Sequence, residues 1–108
     1  MISEQERRLQ PRFEPIQHWD VVVKDSEGKQ HDAQVLDYSQ KGMRLLFDPA
    51  WDLIKGASLE ITDPGTDLRF PASVMWCRLK NRRIIAGVRK GEAQRDWFNA
   101  WNGCAATN

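Results

Sequence analysis

The fold of this chain is constrained most by an alternation of apolar and polar residues in its second half. Along residues 68–79, Phe70, Ala72, Val74 and Trp76 alternate with Arg69, Pro71, Ser73 and Met75. A period of two is typical of a strand that buries one face. The pattern therefore predicts a long strand in this region, with Trp76 on the same face as Phe70.

Five further segments are short and strand-like. They are IQHWDVVVK (16–24), QHDAQVLDYS (30–39), GMRLLF (42–47), SLEIT (58–62) and IIAGVRK (84–90). They are rich in β-branched and aromatic residues, which favour strands, and turn sequences such as D-S-E-G, D-P-G-T-D and N-R-R separate several of them. Six short strands at this spacing predict a mainly β protein, a six-stranded antiparallel barrel.

The two ends of the chain differ from the barrel segments. Residues 1–14 are polar, with no sustained apolar period, and are predicted to form a flexible arm. After Gly91, EAQRDWFNAWNG has apolar residues at helical spacing and predicts a C-terminal amphipathic α-helix. We therefore divide the chain into the arm (1–14), the barrel domain with its helix (15–103) and a tail (104–108).

Charge and hydropathy restrict the partners of the chain. Its 16 basic and 15 acidic residues give a formal net charge of +1, which does not favour long-range capture of DNA or of an anionic membrane. No apolar run reaches the roughly 18 residues that span a bilayer. We therefore expect neither DNA binding nor membrane insertion.

The residues that often carry chemistry are sparse. Cys77 and Cys104 occur in a chain without a charged-then-apolar leader, which indicates a reducing, cytoplasmic setting. His18 and His31 have no nearby ligand at a spacing typical of metal sites, so a catalytic or metal-binding role is not expected for either. No nucleophile with a base, and no set of acidic residues with metal partners, can be assembled. The sequence therefore predicts a protein that is not an enzyme and has no cofactor.

Two short patterns stand out against this background. The first is R-x-x-x-R, formed by Arg8 and Arg12 in the predicted arm. The second is D-x-S-x-x-G, formed by Asp37, Ser39 and Gly42 where a predicted strand ends. Taken singly, the arginines fit a solvated arm, and Asp, Ser and Gly are ordinary turn formers. Their joint occurrence favours a ligand site.

With both patterns, the chain resembles the PilZ domains, bacterial receptors for the second messenger cyclic di-GMP. The resemblance extends over nearly the whole chain, including SVMWCRLKNRRIIAGV (73–88), which is similar to the late hairpin of the family. It implies a six-stranded barrel with an appended helix, and a function as a cyclic di-GMP receptor. The family commonly has a phenylalanine where this chain has Lys90, so the end of the last strand is expected to pack differently against the predicted helix.

The residue types suit such a ligand chemically. The planar forks of Arg8 and Arg12 can bond two phosphate oxygens or the O6 and N7 edge of guanine. Asp37 can either accept the N1 and N2 hydrogens of guanine or hold an arginine fork in position. Ser39 offers a hydroxyl donor, and Gly42 permits a close backbone approach that a β-carbon would obstruct.

Two further residues enter through the resemblance. Arg7 corresponds to an arginine that in the family accompanies binding of two ligand molecules rather than one. Trp76 corresponds to the aromatic residue of the late hairpin, and either stacks on a guanine or belongs to the core.

We therefore predict a cyclic di-GMP receptor whose arm becomes ordered over the ligand and changes the surface seen by a downstream protein partner. One alternative is an adaptor that binds no ligand and docks a partner through Trp97 and Trp101, although this face could simply cover an open end of the barrel. The other is a binder of single-stranded nucleic acid, which the near-neutral charge disfavours.

Overall fold

In a computed structural model, six antiparallel strands close into a barrel. The structure describes residues 13–15, 18–39 and 41–91. The strands are β1 (Asp20–Lys24), β2 (Gln30–Tyr38), β3 (Gly42–Phe47), β4 (Ser58–Asp63), β5 (Leu68–Lys80) and β6 (Arg83–Lys90). Around the barrel their order is β1-β2-β3-β6-β5-β4, and β4 pairs with β1 to close it. The predicted all-β, six-stranded antiparallel barrel is thus confirmed. The predicted C-terminal helix lies outside the described residues.

The barrel interior is filled by side chains that alternate along the strands. Val21 and Val23 of β1 point inward, as do Leu45 and Phe47 of β3. The largest fully buried side chains are Phe47, Phe70, Met43, Leu45, Ile61, Val21, Val23 and Val74. Strands with one buried face leave the other face exposed. The outer face of the barrel is therefore where a ligand site can form.

Tight turns connect the strands as their composition predicts. The N-R-R turn joins β5 to β6 through Asn81 and Arg82, which both have positive φ angles, 52° and 65°. Lys80 pairs with Arg83 across this turn. Two central residues with positive φ are typical of the type I′ turn, whose twist matches that of the two strands.

The turn between β1 and β2 is organised by Asp25. Its carboxylate accepts the backbone N–H groups of Glu27 and Lys29, each at 2.9 Å, and lies 3.0 Å from Nε2 of His31. The imidazole of His31 stacks on the indole of Trp51, with ring centroids 3.5 Å apart. His31 therefore has a structural role in this hairpin.

The Asp25–His31 contact gives the hairpin a predictable response to acid. The hydrogen bond from His31 is the main cause that lowers the pKa of Asp25 below its ordinary value. A carboxylate with a lowered native pKa stabilises the fold above its unfolded pKa of about 4, and this stabilisation is lost as the pH falls through the native value. The variant His31→Phe keeps an aromatic ring stacked on Trp51 but removes the hydrogen bond to Asp25. We expect wild type to exceed this variant in urea-unfolding free energy at pH 6, and the difference to shrink towards pH 2. A difference that is constant with pH would contradict this account.

Candidate functional site

The D-x-S-x-x-G pattern forms the connection between β2 and β3. Asp37 is the penultimate residue of β2, Ser39 follows the strand, and Gly42 begins β3. The backbone N–H of Ser39 donates to the carbonyl oxygen of Gly42 at 2.7 Å, and its hydroxyl lies 3.4 Å from the same oxygen. Asp37 and Ser39 are two of the three polar residues that are buried in the described part of the chain. Buried polar groups are usually engaged in specific contacts.

Gly42 is required by the approach of a neighbouring strand. A β-carbon at this position would lie 2.2 Å from the carbonyl oxygen of Val88 in β6. The close approach expected at Gly42 was to a ligand, whereas in the structure the group next to Gly42 is the backbone of Val88. The glycine allows β3 and β6 to pair beside the signature residues.

Asp37 is paired with an arginine that neither sequence pattern contains. Both Nε and Nη2 of Arg44 lie close to Oδ2 of Asp37, at 2.6 and 2.5 Å. Arg44 is the direct partner of Asp37 in the register of β2 and β3. Asp37 is 5% exposed, whereas 43% of the Arg44 side chain is exposed. Asp37 was predicted either to accept hydrogen bonds from guanine or to hold an arginine in position. In the described residues it contacts an arginine, Arg44.

Trp76 lies on the outer face of the barrel, which corrects the alternation predicted from the sequence. The register of β5 with β6 shifts between Val74 and Trp76, so that Met75 is an extra residue in the strand. Such a β-bulge inverts the faces beyond it. Val74 is buried, whereas Trp76 is 38% exposed. Trp76 therefore does not belong to the barrel core.

The indole of Trp76 lies against Gly87 of β6. A β-carbon at Gly87 would lie 2.2 Å from the indole Nε1 and 2.4 Å from Cε2. The guanidinium carbon of Arg78 is 5.9 Å from the indole centroid, near the outer limit of a cation–π contact, which is about 6 Å. Gly87 thus allows the aromatic ring to lie close to the sheet surface.

Four residues share one row across the outer face. Asp37 pairs with Arg44, Arg44 pairs with Gly87, and Gly87 pairs with Trp76. Directly paired residues project to the same side of a sheet, and strands lie about 4.8 Å apart. The signature carboxylate and the tryptophan are therefore brought onto one surface, about 14 Å apart across three strand spacings. We call these four residues the outer row.

Three arginine side chains lie in or beside the outer row. Arg89 is exposed and pairs with Gly42 on one side and with Ser73 on the other. Arg44 lies within the row, and Arg78 lies beside Trp76. This surface is therefore locally basic although the chain is nearly neutral, and it suits an anionic ligand that also carries an aromatic base.

The segment that precedes β1 is attached beside the signature residues. Phe13 forms an isolated antiparallel bridge with Tyr38, in which each backbone N–H donates to the carbonyl of the other residue, at 2.8 and 2.9 Å. The two rings are 5.8 Å apart. Burial raises the pKa of the Tyr38 hydroxyl above its ordinary value. Phe13 is therefore bonded to Tyr38, the residue that lies between Asp37 and Ser39 in the sequence.

The predicted site residues divide into two groups. Asp37, Ser39, Gly42 and Trp76 lie together around the outer row. Arg7, Arg8 and Arg12 lie outside the described residues, as do Trp97 and Trp101. Sequence reasoning missed Arg44, Gly87 and Phe13. Arg44 could have been noticed, because it stands between the apolar residues Met43 and Leu45 in a predicted strand and is therefore expected to point outward.

No group of three or more His, Cys, Asp or Glu residues in the described ranges is placed to hold a metal ion. The same ranges contain no helix with the length and apolar character required to cross a membrane.

Comparison with known proteins gives a family and two similar structures. The PilZ domain family model matches residues 6–96. A structure described as the PilZ domain with c-di-GMP of YcgR from Escherichia coli is 16% identical, with a TM-score of 0.70, covering 92% of this chain and 88% of that one. A structure of YcgR in complex with c-di-GMP, also from Escherichia coli, is 14% identical with a TM-score of 0.69. That alignment covers 92% of this chain and 44% of the YcgR chain.

No curated protein sequence matches the chain. The two structural similarities support the barrel fold, and the family match covers most of the sequence, including both signature patterns. The chain therefore belongs to the PilZ domain family, whose members are ligand-binding receptor domains and not enzymes.

Proposed function

We propose that the chain is a cyclic di-GMP receptor that binds its ligand over the outer row and closes its N-terminal arm upon it. The observation that carries the proposal is the Phe13–Tyr38 bridge, which attaches the end of the arm between Asp37 and Ser39. The similar YcgR structures are described as containing c-di-GMP. The assignment of cyclic di-GMP as the ligand is supported by the family match and by the presence of both signature patterns, R-x-x-x-R and D-x-S-x-x-G.

The arginines of the arm complete the site in this proposal. Arg12 directly precedes Phe13 in the sequence, and consecutive Cα atoms are 3.8 Å apart, so Arg12 is one residue from the bridge. Arg8 is four residues further back. Both arginines supply fixed positive charge and bidentate donors for the phosphates or guanines. Ser39 adds a hydroxyl near the turn.

The signal in this proposal is the ordering of the arm. A segment that becomes ordered loses conformational entropy, so its charge-assisted contacts to the ligand must exceed that cost. The bridge at Phe13 shortens the segment that has to be ordered, because one end is already attached. The closed arm then presents a new surface to a downstream protein partner in the cytoplasm.

Trp76 provides the stacking surface for one guanine. Base–aromatic stacking contributes about 1–3 kcal/mol per base in nucleic-acid sites. One face of the indole lies against Gly87, and the side chain is partly exposed to solvent. Arg7 would contact a second ligand molecule if the site binds a pair, and the stoichiometry of binding decides this.

An NMR titration with cyclic di-GMP tests the location of the site. We expect the amide signals of Asp37, Ser39 and Gly42 and the indole N–H signal of Trp76 to shift with one saturation curve. The amide of Gly28, in the turn between β1 and β2, serves as the internal control and should not shift. Saturable shifts confined to other parts of the barrel would contradict the proposed site.

A further inference from the structure

We propose that Arg44 is a specificity-determining residue that reads the O6 and N7 edge of a guanine stacked on Trp76. Asp37 is its positioning residue. This inference rests on the proposed function and assigns a role to an arginine outside both sequence patterns.

Asp37 engages only one edge of that guanidinium. Nε and Nη2 of Arg44 both point to Oδ2 of Asp37, so the side-on edge is occupied. The end-on edge, formed by Nη1 and Nη2, carries a second pair of parallel N–H donors. Arg44 makes no other hydrogen bond or ion pair with the described residues, and 43% of its side chain is exposed. The end-on edge is thus available to a ligand.

The indole of Trp76 lies over the strand next to Arg44, so a base stacked on it would be near the end-on edge. The indole covers Gly87 in β6, and β6 is the strand next to Arg44 in β3. A base stacked on the outer face of the indole would therefore be displaced sideways from Arg44 by about one strand spacing, 4.8 Å, and would lie above the sheet on the side to which the Arg44 side chain projects. The contact between Arg78 and the indole is long, at 5.9 Å, and the exposed Arg78 side chain can move aside.

The donor pattern of Arg44 distinguishes guanine from adenine. Guanine presents two acceptors, O6 and N7, which match two parallel N–H donors. Adenine presents N7 but replaces O6 with an amino group, which opposes an arginine donor with another donor. Arg44 therefore favours guanine over adenine without any change in the contacts to phosphate.

The rigidity of this recognition depends on Asp37. A long arginine side chain at an exposed position samples many rotamers, which weakens a directional contact. Asp37 is 5% exposed and holds two nitrogens of Arg44, which fixes the plane of the fork. A lysine at position 44 would keep the positive charge beside Asp37 but lose the planar pair of donors.

The test compares cyclic di-GMP with cyclic di-AMP, which shares the phosphates and sugars but not the O6 acceptor. Calorimetry gives the Kd for cyclic di-GMP, and competition at high concentration gives the Kd for cyclic di-AMP. The proteins are the wild type, Arg44→Ala, Arg44→Lys and the control Arg69→Ala, which removes an exposed arginine at the other end of β5. Thermal unfolding confirms that each protein is folded.

We expect Arg44→Ala to weaken cyclic di-GMP binding by about ten- to a hundredfold and to leave cyclic di-AMP binding nearly unchanged. Arg44→Lys retains the charge and the fold but should lose most of the selectivity, so it tests the proposal even if Arg44→Ala is unstable. Arg69→Ala should bind both ligands as the wild type does.

Two results would overturn the inference while leaving the receptor function intact. One is Arg44→Ala binding cyclic di-GMP with wild-type affinity. The other is an equal loss for both ligands, since this would assign Arg44 to phosphate binding or to maintenance of the fold. If the wild type binds no cyclic di-GMP, the proposed function itself is wrong, and the inference about Arg44 is overturned with it.

Discussion

The variant Gly42→Ala is expected to unfold at a temperature roughly 10 °C or more below that of the wild type. The added β-carbon would lie 2.2 Å from the Val88 carbonyl oxygen and 3.4 Å from the Cα of Arg89. Both are backbone atoms of a strand that pairs on both sides, so neither can move without separating β3 from β6. Overpacking of this kind costs about 1–3 kcal/mol or more, and each kcal/mol lowers the midpoint of a domain of this size by several degrees.

Gly65→Ala is the matched control for this experiment. Gly65 lies in the turn between β4 and β5, and a β-carbon there would meet only an oxygen of Asp63 at 3.7 Å, an ordinary contact. Thermal unfolding followed by circular dichroism measures both variants. If Gly42→Ala melts within 2 °C of Gly65→Ala, the strands adapt easily, and the explanation given for the signature glycine is wrong.

The variant Gly87→Ala is expected to weaken cyclic di-GMP binding by about ten- to a hundredfold with little loss of stability. The new β-carbon would collide with indole atoms of Trp76, at 2.2 and 2.4 Å. These atoms belong to a partly exposed side chain, so the ring can turn into solvent at a small cost. Its stacking contribution, about 1–3 kcal/mol per base, would then be lost.

Two controls separate displacement of the indole from other effects. Gly65→Ala should bind with wild-type affinity, and Trp76→Ala should weaken binding as much as Gly87→Ala does. The double variant Gly87→Ala/Trp76→Ala should be no weaker than either single variant, because both act through the same ring. Additive losses would show that Gly87 contributes to binding by a route other than Trp76.

The sequence predicted the strands well because each carries its own signal. GMRLLF corresponds to the observed β3, and the strand predicted over residues 84–90 corresponds to all but the first residue of β6. Alternation, β-branched residues and turn residues are local properties, so they can be identified without knowledge of the fold. The barrel followed from the number and spacing of the strands.

The position of Trp76 could not be predicted in this way. A single inserted residue, Met75, changes the face of every later residue in β5, and no local feature of SVMWC indicates the bulge. The alternation therefore placed Trp76 on the buried face, where the structure does not have it. Its proximity to Asp37 depends on pairing between four strands, which is a property of the closed barrel.

The contact between Arg44 and Asp37 could not be predicted from the sequence for a similar reason. An arginine on the outer face of a strand is usually a solvated residue. Its contact with Asp37 arises from the register of β2 and β3, which includes an irregularity between Val35 and Asp37. The signature patterns identified the residues at the turn, but the neighbouring strands supply the remainder of the candidate site.

In the proposed function, this PilZ domain binds cyclic di-GMP through the arginines of its arm and the outer row of its barrel. Calorimetric titration of the wild type, Arg8→Ala and Arg69→Ala with cyclic di-GMP measures whether it does. Both variants remove one arginine, but only the first removes a signature residue.

We predict saturable heat for the wild type at micromolar concentrations, with a stoichiometry of one or two ligands per chain. Arg8→Ala should bind at least about tenfold more weakly, because it loses a charge-assisted, bidentate contact, and Arg69→Ala should bind as the wild type does. The absence of heat from the wild type, or undiminished binding by Arg8→Ala, would contradict the claim.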